Sequence, residues 1–287
     1  MMNLYECHCH IALDGEDFKV SSAKHKNGAD IQHIRNMFEK YKALGVSYIR
    51  DGGDKWGASE AAAKIADEYE IEYATPVFPI HKKGNYGGFI GRCFENLSDY
   101  RELVKEVKNR GGDFIKIMAS GIMDFGEFSV LTGWELPLDE MREIVNVAHG
   151  EGFAVMAHVN GADGVRRCVE AGVDSVEHGN YMNEDAVRYL SESGCVWVPT
   201  VSATTELRGK NLFPEDMLGK ILEMQKENIR LGAKLGALIA AGGDAGAKCV
   251  YHGTGIIKER EFLSAFLTDI QLENAQEKLR QTFKRQG

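Results

Sequence analysis

The sequence predicts a single (β/α)8 barrel of the TIM type. Eight short apolar segments alternate with longer amphipathic segments, which is typical of βα units around a parallel sheet. A chain of 287 residues is long enough for one such barrel. Hydrophobic residues make up 44% of the chain, so a large core can form. We therefore expect residues 1–287 to form one α/β domain.

The predicted strands are short and end near polar residues. They cover residues 4–10, 46–51, 72–78, 113–119, 153–158, 173–178, 195–200 and 237–244. Several strands follow a glycine, where a left-handed residue can end the preceding helix. These glycines are Gly45, Gly111, Gly152, Gly172 and Gly194.

The segments between the strands have the three- and four-residue apolar spacing of amphipathic helices. The clearest apolar faces comprise Ile31, Ile34, Phe38 and Tyr41 in one segment and Leu103, Val104 and Val107 in another. We expect these faces to pack on the barrel. Two long insertions, 79–97 and 120–137, follow the third and fourth strands, where barrel loops form the active-site face.

Composition argues against several classes of partner. The net charge of -9 would repel a phosphate backbone, so nucleic acid is not an expected partner. No apolar run is long enough to span a membrane, and the amino terminus lacks a secretory signal. The six scattered cysteines form neither a disulfide framework nor paired zinc knuckles. These features predict a cytoplasmic protein with reduced thiols and a small-molecule substrate.

A pair of histidines ends the first predicted strand, in Cys7-His8-Cys9-His10. Side chains alternate along a strand, so we expect both histidines on one face and both cysteines on the other. If the histidines face the barrel interior, they form a ready pair of metal ligands. The pattern alone leaves ordinary histidines equally open.

Lys116 stands in the middle of a strand that is otherwise suited to burial on both faces. A buried ammonium is costly unless it is paired. Pairing with a nearby carboxylate is one solution. Reaction with carbon dioxide, which would turn the amine into a bridging carbamate, is the other.

Three more polar residues end predicted strands: His158, His178 and Asp244. Each could be an ordinary loop residue. Barrel enzymes, however, keep their functional groups at these positions. Five strands contributing imidazoles, a carboxylate and a buried lysine to one face indicate a metal centre.

The motifs that carry these residues resemble the amidohydrolase superfamily, in particular its imidazolonepropionase-like and prolidase-like dipeptidase branch. They are HCH, GVSYIRDGG, GGDFIKIMASG, AVMAHVNG, AGVDSVEHGNYM and AAGGDAG. Their order, spacing and strand positions match nearly the whole length of the chain.

The resemblance implies a binuclear site that holds two divalent cations, zinc first, with manganese, iron or cobalt as alternatives. His8, His10 and Asp244 would bind the first cation, and His158 and His178 the second. Carboxylated Lys116 would bridge them. Asp244 would also shuttle a proton.

The implied reaction is hydrolysis of an amide or peptide bond in a small substrate, such as a dipeptide or N-acyl amino acid, by a hydroxide held between the cations. Tyr181 matches a family tyrosine that can bind the substrate carbonyl. His81 could assist from the long loop, and a solvent-facing histidine is the equal alternative. Hydrolysis of a lactone, cyclic amide or phosphotriester remains an alternative. So does a metal-binding barrel without catalysis. Lys116 argues against deamination.

The chain also departs from the family pattern. Because His8 lies so near the amino terminus, we expect most or all of the accessory β-sandwich of relatives to be missing. The bottom of the barrel would then be closed in another way, for example by contacts in a homo-oligomer. Asp124 stands where relatives often have small residues. Arg92 could clamp a substrate carboxylate, although an exposed surface arginine is the far commoner case.

The remaining histidines are expected to have ordinary surroundings. His25, His33 and His149 fall in predicted loop or helix surface positions, and His252 follows the eighth strand near the predicted rim of the pocket.

Overall fold

The structure is a computed structural model, and it describes residues 4–284. Its strands are β1 (Leu4–Cys9), β2 (Val46–Asp51), β3 (Glu72–Ala74), β4 (Pro79–Lys82), β5 (Arg92–Phe94), β6 (Ile115–Met118), β7 (Val155–Val159), β8 (Ser175–His178), β9 (Val196–Val198) and β10 (Leu238–Ile239). Strands β1 to β3 form one ladder. The other ladder has the order β10-β9-β8-β7-β6-β4-β5, and all pairings are parallel.

Backbone hydrogen bonds join the two ladders into a closed ring. At one seam, Asp244 N–H donates to the His8 carbonyl at 2.8 Å. At the other, Asp113 N–H donates to the Thr75 carbonyl at 2.8 Å. Strand β10 is only two residues long, but the chain that follows it at Gly242 lies against β1. A Cβ on Gly242 would come within 2.8 Å of His8 N. The predicted barrel is thus confirmed.

The third predicted strand, 72–78, is interrupted in the structure. The Thr75 backbone is held by Asp113, and Val77 has a φ of 65°. The chain therefore leaves the ladder after β3 and resumes as β4, which pairs with β6. The insertion 79–97 is consequently partly strand, since it contributes β4 and β5. Within residues 4–284, every strand belongs to the barrel or to this extension, and none forms a β-sandwich.

Helices surround the ring. They are α1 (Phe18–Lys24), α2 (Ile31–Ala43), α3 (Ala58–Ile65), α4 (Leu97–Asn109), α5 (Leu138–Gly150), α6 (Ala162–Ala171), α7 (Glu184–Ser193), α8 (Ser202–Thr205), α9 (Glu215–Leu235), α10 (Thr254–Leu263) and α11 (Asp269–Thr282). The five predicted capping glycines all have positive φ. The predicted apolar faces are buried except for Ile31, which is the first residue of α2 and is 40% exposed. None of the helices in the described part of the chain could cross a membrane.

The first strand does not alternate regularly. Its register with β2 is irregular between Glu6 and Cys9, as at a β-bulge. Cys7 therefore joins the apolar cluster inside the barrel, whereas Cys9 packs with the outer core. The prediction that both cysteines share a face was wrong, because the bulge shifts the alternation within the motif.

Helix α11 and the residue after it close the bottom of the barrel. Phe283 is fully buried and meets Phe114 edge to face, with ring centroids 5.2 Å apart. The Arg50 guanidinium lies 4.4 Å from the centre of the Phe283 ring. The described residues thus close the bottom of the barrel by themselves. Contacts between copies had been one expectation for this closure.

We expect Phe283→Ala to lower the free energy of unfolding by about 3–5 kcal/mol, because it leaves a cavity at the barrel bottom. Urea denaturation followed by circular dichroism measures the change. Tyr189→Ala, which truncates a ring that is 38% exposed, is the control and should change stability little. A loss below about 1 kcal/mol for Phe283→Ala would show that α11 does not plug the barrel.

Candidate active site

Four histidines meet at the carboxyl ends of the strands. The ring centroids of His8 and His10 lie 5.5 Å apart, and those of His8 and His178 lie 5.1 Å apart. His158 continues the row, with its centroid 4.6 Å from that of His178. These residues are up to 170 positions apart in the chain, yet the barrel brings them together because they end strands β1, β7 and β8.

Three of the predicted ligands form a compact group. One ligand atom from each of His8, His10 and Asp244 lies within 4.8 Å of the others. The Nε2 atoms of both histidines are 3.6 Å from the same Asp244 oxygen. Two imidazoles and a carboxylate at this spacing suit a divalent transition metal.

Buried atoms without partners show that this group fits a cation. Neither His8 Nε2 nor Lys116 Nζ has a hydrogen-bond partner among residues 4–284. An unsatisfied buried polar atom is costly, so such atoms point to a missing ligand or a chemical change. The donor set, rather than any single residue, therefore fits a metal.

Burial sets the charge state of these groups. It lowers the pKa of His10 and His158 to about 3, and it lowers the pKa of His8 and His178 well below the usual value. The four imidazoles are therefore neutral at pH 7, as metal ligands must be.

Lys116 and Asp244 are shifted in opposite directions by the same cause. Burial lowers the pKa of Lys116 to about 8, against the opposing attraction of Glu177. Burial raises the pKa of Asp244 to about 6, against the opposing attraction of Lys116. A fraction of the amine is thus uncharged near neutral pH, and the carboxyl can exchange a proton there.

A buried ion pair beneath the site fixes the orientation of His8. Glu177 accepts a hydrogen bond from His8 Nδ1 at 2.6 Å, so Nε2 is the bare nitrogen that faces Asp244. Arg50 donates to Glu177 at 2.8 and 2.9 Å, and neither side chain is exposed. Neither residue was predicted from the sequence, although charges inside two buried strands could have revealed them.

Left-handed backbone conformations aim several strand-end side chains. His178, Thr200 and Asp244 have φ values of 67°, 50° and 56°, which are strained for residues with side chains. Hydrogen bonds hold them: Thr200 Oγ1 lies 2.6 Å from His178 Nδ1, and Trp197 Nε1 donates to the His178 carbonyl at 2.9 Å.

A cavity of about 630 Å³ opens above these groups, and all six predicted ligands line it. Its upper walls are largely apolar. Tyr86, Phe89 and Phe18 form one wall, and Phe125 stacks on Phe213 in another. Both insertions, 79–97 and 120–137, contribute to these walls, as predicted from their positions.

The sequence profile of the Amidohydrolase family matches residues 34–255, which is well over half of the chain. The chain belongs to the amidohydrolase family.

Individual relatives agree with this assignment. Ochratoxinase of Aspergillus niger is 27% identical over 239 residues, which cover 70% of this amidohydrolase and 48% of the relative. The chain thus spans about half the length of the curated relatives it matches. The crystal structure of A. niger ochratoxinase superposes with a TM-score of 0.77 at 20% identity, covering 99% of this chain and 72% of that one. The crystal structure of a Xaa-Pro dipeptidase with bound methionine superposes with a TM-score of 0.75 at 20% identity, covering 98% of this chain and 76% of that one.

Three other predicted contacts lie outside the cavity lining of this amidohydrolase. Tyr181 packs against Phe128, with ring centroids 5.3 Å apart. His81 is buried beneath Gly87 and bonds the Lys82 carbonyl at 3.0 Å. Arg92 pairs with Glu106 on the outside of the barrel, so it cannot clamp a substrate here. Catalytic roles for Tyr181 and His81 stay predictions.

His25 and His33 are buried against expectation, and His252, expected near the rim of the pocket, is buried as well. His25 is 1%, His33 5% and His252 2% exposed, and each bonds a backbone carbonyl. Among the lining residues within 4–284, none of these three histidines is found. The sequence could not show this, because the carbonyls they bond belong to a distant segment. His149 is exposed as predicted and pairs with Asp174.

In this amidohydrolase we expect Glu177→Gln to weaken zinc binding about 10–100-fold, because the His8 tautomer loses its partner. The variant should also unfold more easily by about 3–5 kcal/mol, since Arg50 stays buried without its counter-ion. Zinc affinity measured by competition with a chelator checks the first effect.

The matched control is Glu259→Gln. Glu259 is also fully buried and accepts backbone hydrogen bonds from Val201 and Ser202, outside the cavity lining. Zinc affinity should stay near the wild-type value there. Equal losses of affinity in both variants would contradict a specific role for Glu177.

Proposed function

We propose that this chain is a binuclear metal-dependent amidohydrolase that cleaves an amide or peptide bond in a small substrate, such as a dipeptide or an N-acyl amino acid. The convergence of four neutral histidines, Lys116 and Asp244 on one cavity floor carries the proposal. The family membership supports hydrolysis, and the names of its relatives, ochratoxinase and Xaa-Pro dipeptidase, support an amide bond.

Two divalent cations, with zinc as the first choice, would be held by these residues. His8, His10 and Asp244 would hold one, and His158 and His178 the other. Lys116, carboxylated on Nζ, would bridge them. Its burial, its unpartnered Nζ and its lowered pKa support this modification. When bound, such a pair lowers the pKa of water and polarises the scissile carbonyl.

The side chains of the chain divide the remaining work. Asp244, with its pKa near neutrality, would accept a proton from water and pass it to the departing amine. Glu177 keeps His8 in one tautomer, and Thr200 holds the orientation of the His178 ring. The apolar walls exclude bulk water and strengthen these electrostatic interactions.

Tyr86 is a better placed contact for the substrate carbonyl than Tyr181. Its ring stacks on His158 at a centroid distance of 4.9 Å and lines the cavity. Burial raises the pKa of the Tyr86 hydroxyl, and the charge of Asp244 raises it further. The two groups therefore lie near one another. Contact of Tyr181 with the substrate carbonyl stays a family-based prediction. Comparing the activities of Tyr86→Phe and Tyr181→Phe shows which of the two hydroxyls has this role.

Metal analysis combined with a substrate screen tests the proposal. The protein is grown with zinc and bicarbonate, its metal content is measured, and turnover is followed on dipeptides, N-acyl amino acids, lactones and phosphotriesters. We expect two ions per chain and hydrolysis confined to amides. Chelation should abolish turnover, and readdition of zinc should restore it. Turnover of lactones or phosphotriesters alone would overturn the reaction class. Two bound ions with no turnover would favour a binding protein.

A further inference from the structure

Three buried histidines outside the cavity bond one short stretch of backbone. The Nε2 atoms of His33, His25 and His252 lie 3.1, 3.0 and 2.7 Å from the carbonyl oxygens of Ile11, Ala12 and Leu13, respectively. Three consecutive carbonyls thus each receive an imidazole, from three separate parts of the chain. We call residues 11–13 the clamped segment.

Each of these imidazoles donates from Nε2, because a carbonyl oxygen can only accept. In two of the three rings, Nδ1 accepts a hydrogen bond, as a proton on Nε2 requires. His25 Nδ1 accepts the Asp30 N–H at 3.0 Å. His252 Nδ1 lies 2.9 Å from the Tyr41 hydroxyl, which can donate to it. Both rings are therefore held from two sides in one neutral tautomer.

The three histidines link elements that are otherwise separate. His25 follows α1, and His33 lies in the first turn of α2. His252 lies in the loop that starts at Asp244 and leads to α10. The clamped segment is thereby tied to the two helices that follow it and to the loop after Asp244.

The clamped segment connects the candidate metal group to the cavity wall. It directly follows His10 and leads into Leu13–Glu16, which line the cavity. Its flanks also bond the loop after Asp244: His10 N–H donates to Ala245 at 2.7 Å, and Cys249 N–H donates to Gly15 at 2.6 Å. Movement of this segment would therefore shift His10 relative to Asp244.

We infer that His25, His33 and His252 are positioning residues that fix the clamped segment, and with it His10 and one wall of the cavity. The inference rests on the proposed function in so far as His10 is a metal ligand. Residues 11–13 are buried, so bulk water does not satisfy their carbonyls, and three side-chain donors from three places in the chain do so instead.

Paired variants test the clamp. His33→Asn and His252→Asn keep a polar group but place its amide one atom short of the carbonyl. His33→Gln and His252→Gln carry an amide N–H at about the reach of the imidazole Nε2. Ile144→Ala leaves a cavity under the buried face of α5. It is the control for a loss of stability that leaves the three histidines intact.

Two readouts are taken on the purified protein, with and without added zinc. The first is hydrogen exchange of the peptide that covers residues 10–16. The second is the dissociation constant for zinc. In the asparagine variants we expect exchange to be at least about tenfold faster and zinc binding about tenfold weaker or more. The glutamine variants and Ile144→Ala should stay near the wild-type values.

The outcomes separate the two proposals. If the asparagine variants lower only the unfolding midpoint, as Ile144→Ala does, and leave both readouts unchanged, the clamp is wrong. If wild-type protein binds no zinc, the proposed function fails, and hydrogen exchange without metal still decides the clamp. Should the asparagine variants of His33 and His252 not fold, His25→Asn replaces them, because its shorter amide does not reach the Ala12 carbonyl, and His25→Gln is its matched control. Unchanged exchange at residues 10–16 in His25→Asn would overturn the clamp.

Discussion

Replacement of Lys116 by alanine is expected to lower kcat/KM on the best amide substrate by about 10³-fold. Lewis-acid stabilisation by a cation is worth several kcal/mol, and each 1.4 kcal/mol is tenfold in rate. Lys116 is 1% exposed and lines the cavity floor, so its loss removes the proposed bridge without altering the surface. Turnover and metal content of the zinc-loaded protein measure the effect.

A short-chain carboxylic acid such as propionate should restore part of the activity of Lys116→Ala. The truncated side chain leaves a buried space of matching length, and the added carboxylate can take the position of the proposed carbamate. Wild-type protein should not respond to propionate. Rescue also shows that the variant is folded, because an unfolded chain has no site to fill.

Lys82→Ala is the control for Lys116→Ala. Lys82 lies on the neighbouring strand β4 and pairs with Glu140, and its side chain is 23% exposed. Its removal should change kcat/KM less than about threefold, as expected of a partly exposed ion pair. An unaffected rate in Lys116→Ala would defeat the carbamate bridge.

Asp244→Asn is expected to lower kcat by about 10²–10⁴-fold, because asparagine keeps the shape of the side chain but cannot accept and return a proton. The variant should also bind zinc more weakly, since a charged ligand is lost from the group with His8 and His10. Measurement of kcat at saturating zinc separates the two effects.

The pH dependence of stability gives a second readout for Asp244. Because its folded pKa is raised above the unfolded value, its stabilising contribution is present at low pH and is lost as the pH rises from about 4 to about 6. Metal-free wild type should therefore lose stability relative to Asp244→Asn over this window. Asp124→Asn, at the cavity wall, serves as the control for both readouts. Activity of Asp244→Asn within tenfold of wild type would rule out the proton-shuttle role.

Local sequence predicted the candidate ligands because five of them lie at or next to strand ends and Lys116 is a lone charge within a buried strand. The strand-end position of His158 or His178 follows from the apolar run before it, and strand ends share one face of any parallel barrel. No knowledge of long-range contacts was needed. The same reasoning failed within β1, where the bulge between Glu6 and Cys9 alters which side chains face inward.

Residues that act through distant partners escaped prediction. Arg50 and Glu177 are 127 positions apart, and His252 bonds a carbonyl 239 positions away. Their roles depend on which elements become neighbours, and no local pattern encodes that. Tyr86 lies in an insertion whose path over the cavity depends on β4 and β5, so the motif-matched Tyr181 was favoured instead.

The sequence by itself determined the barrel and the six candidate polar residues on its strands, because apolar periodicity and position within a strand are local properties. Only the tertiary structure decided the orientation of His8, the closure of the barrel bottom by Phe283 and the clamp on residues 11–13. These features depend on contacts between segments brought together by folding, whose energies arise from burial and hydrogen-bond geometry rather than from neighbours in the chain.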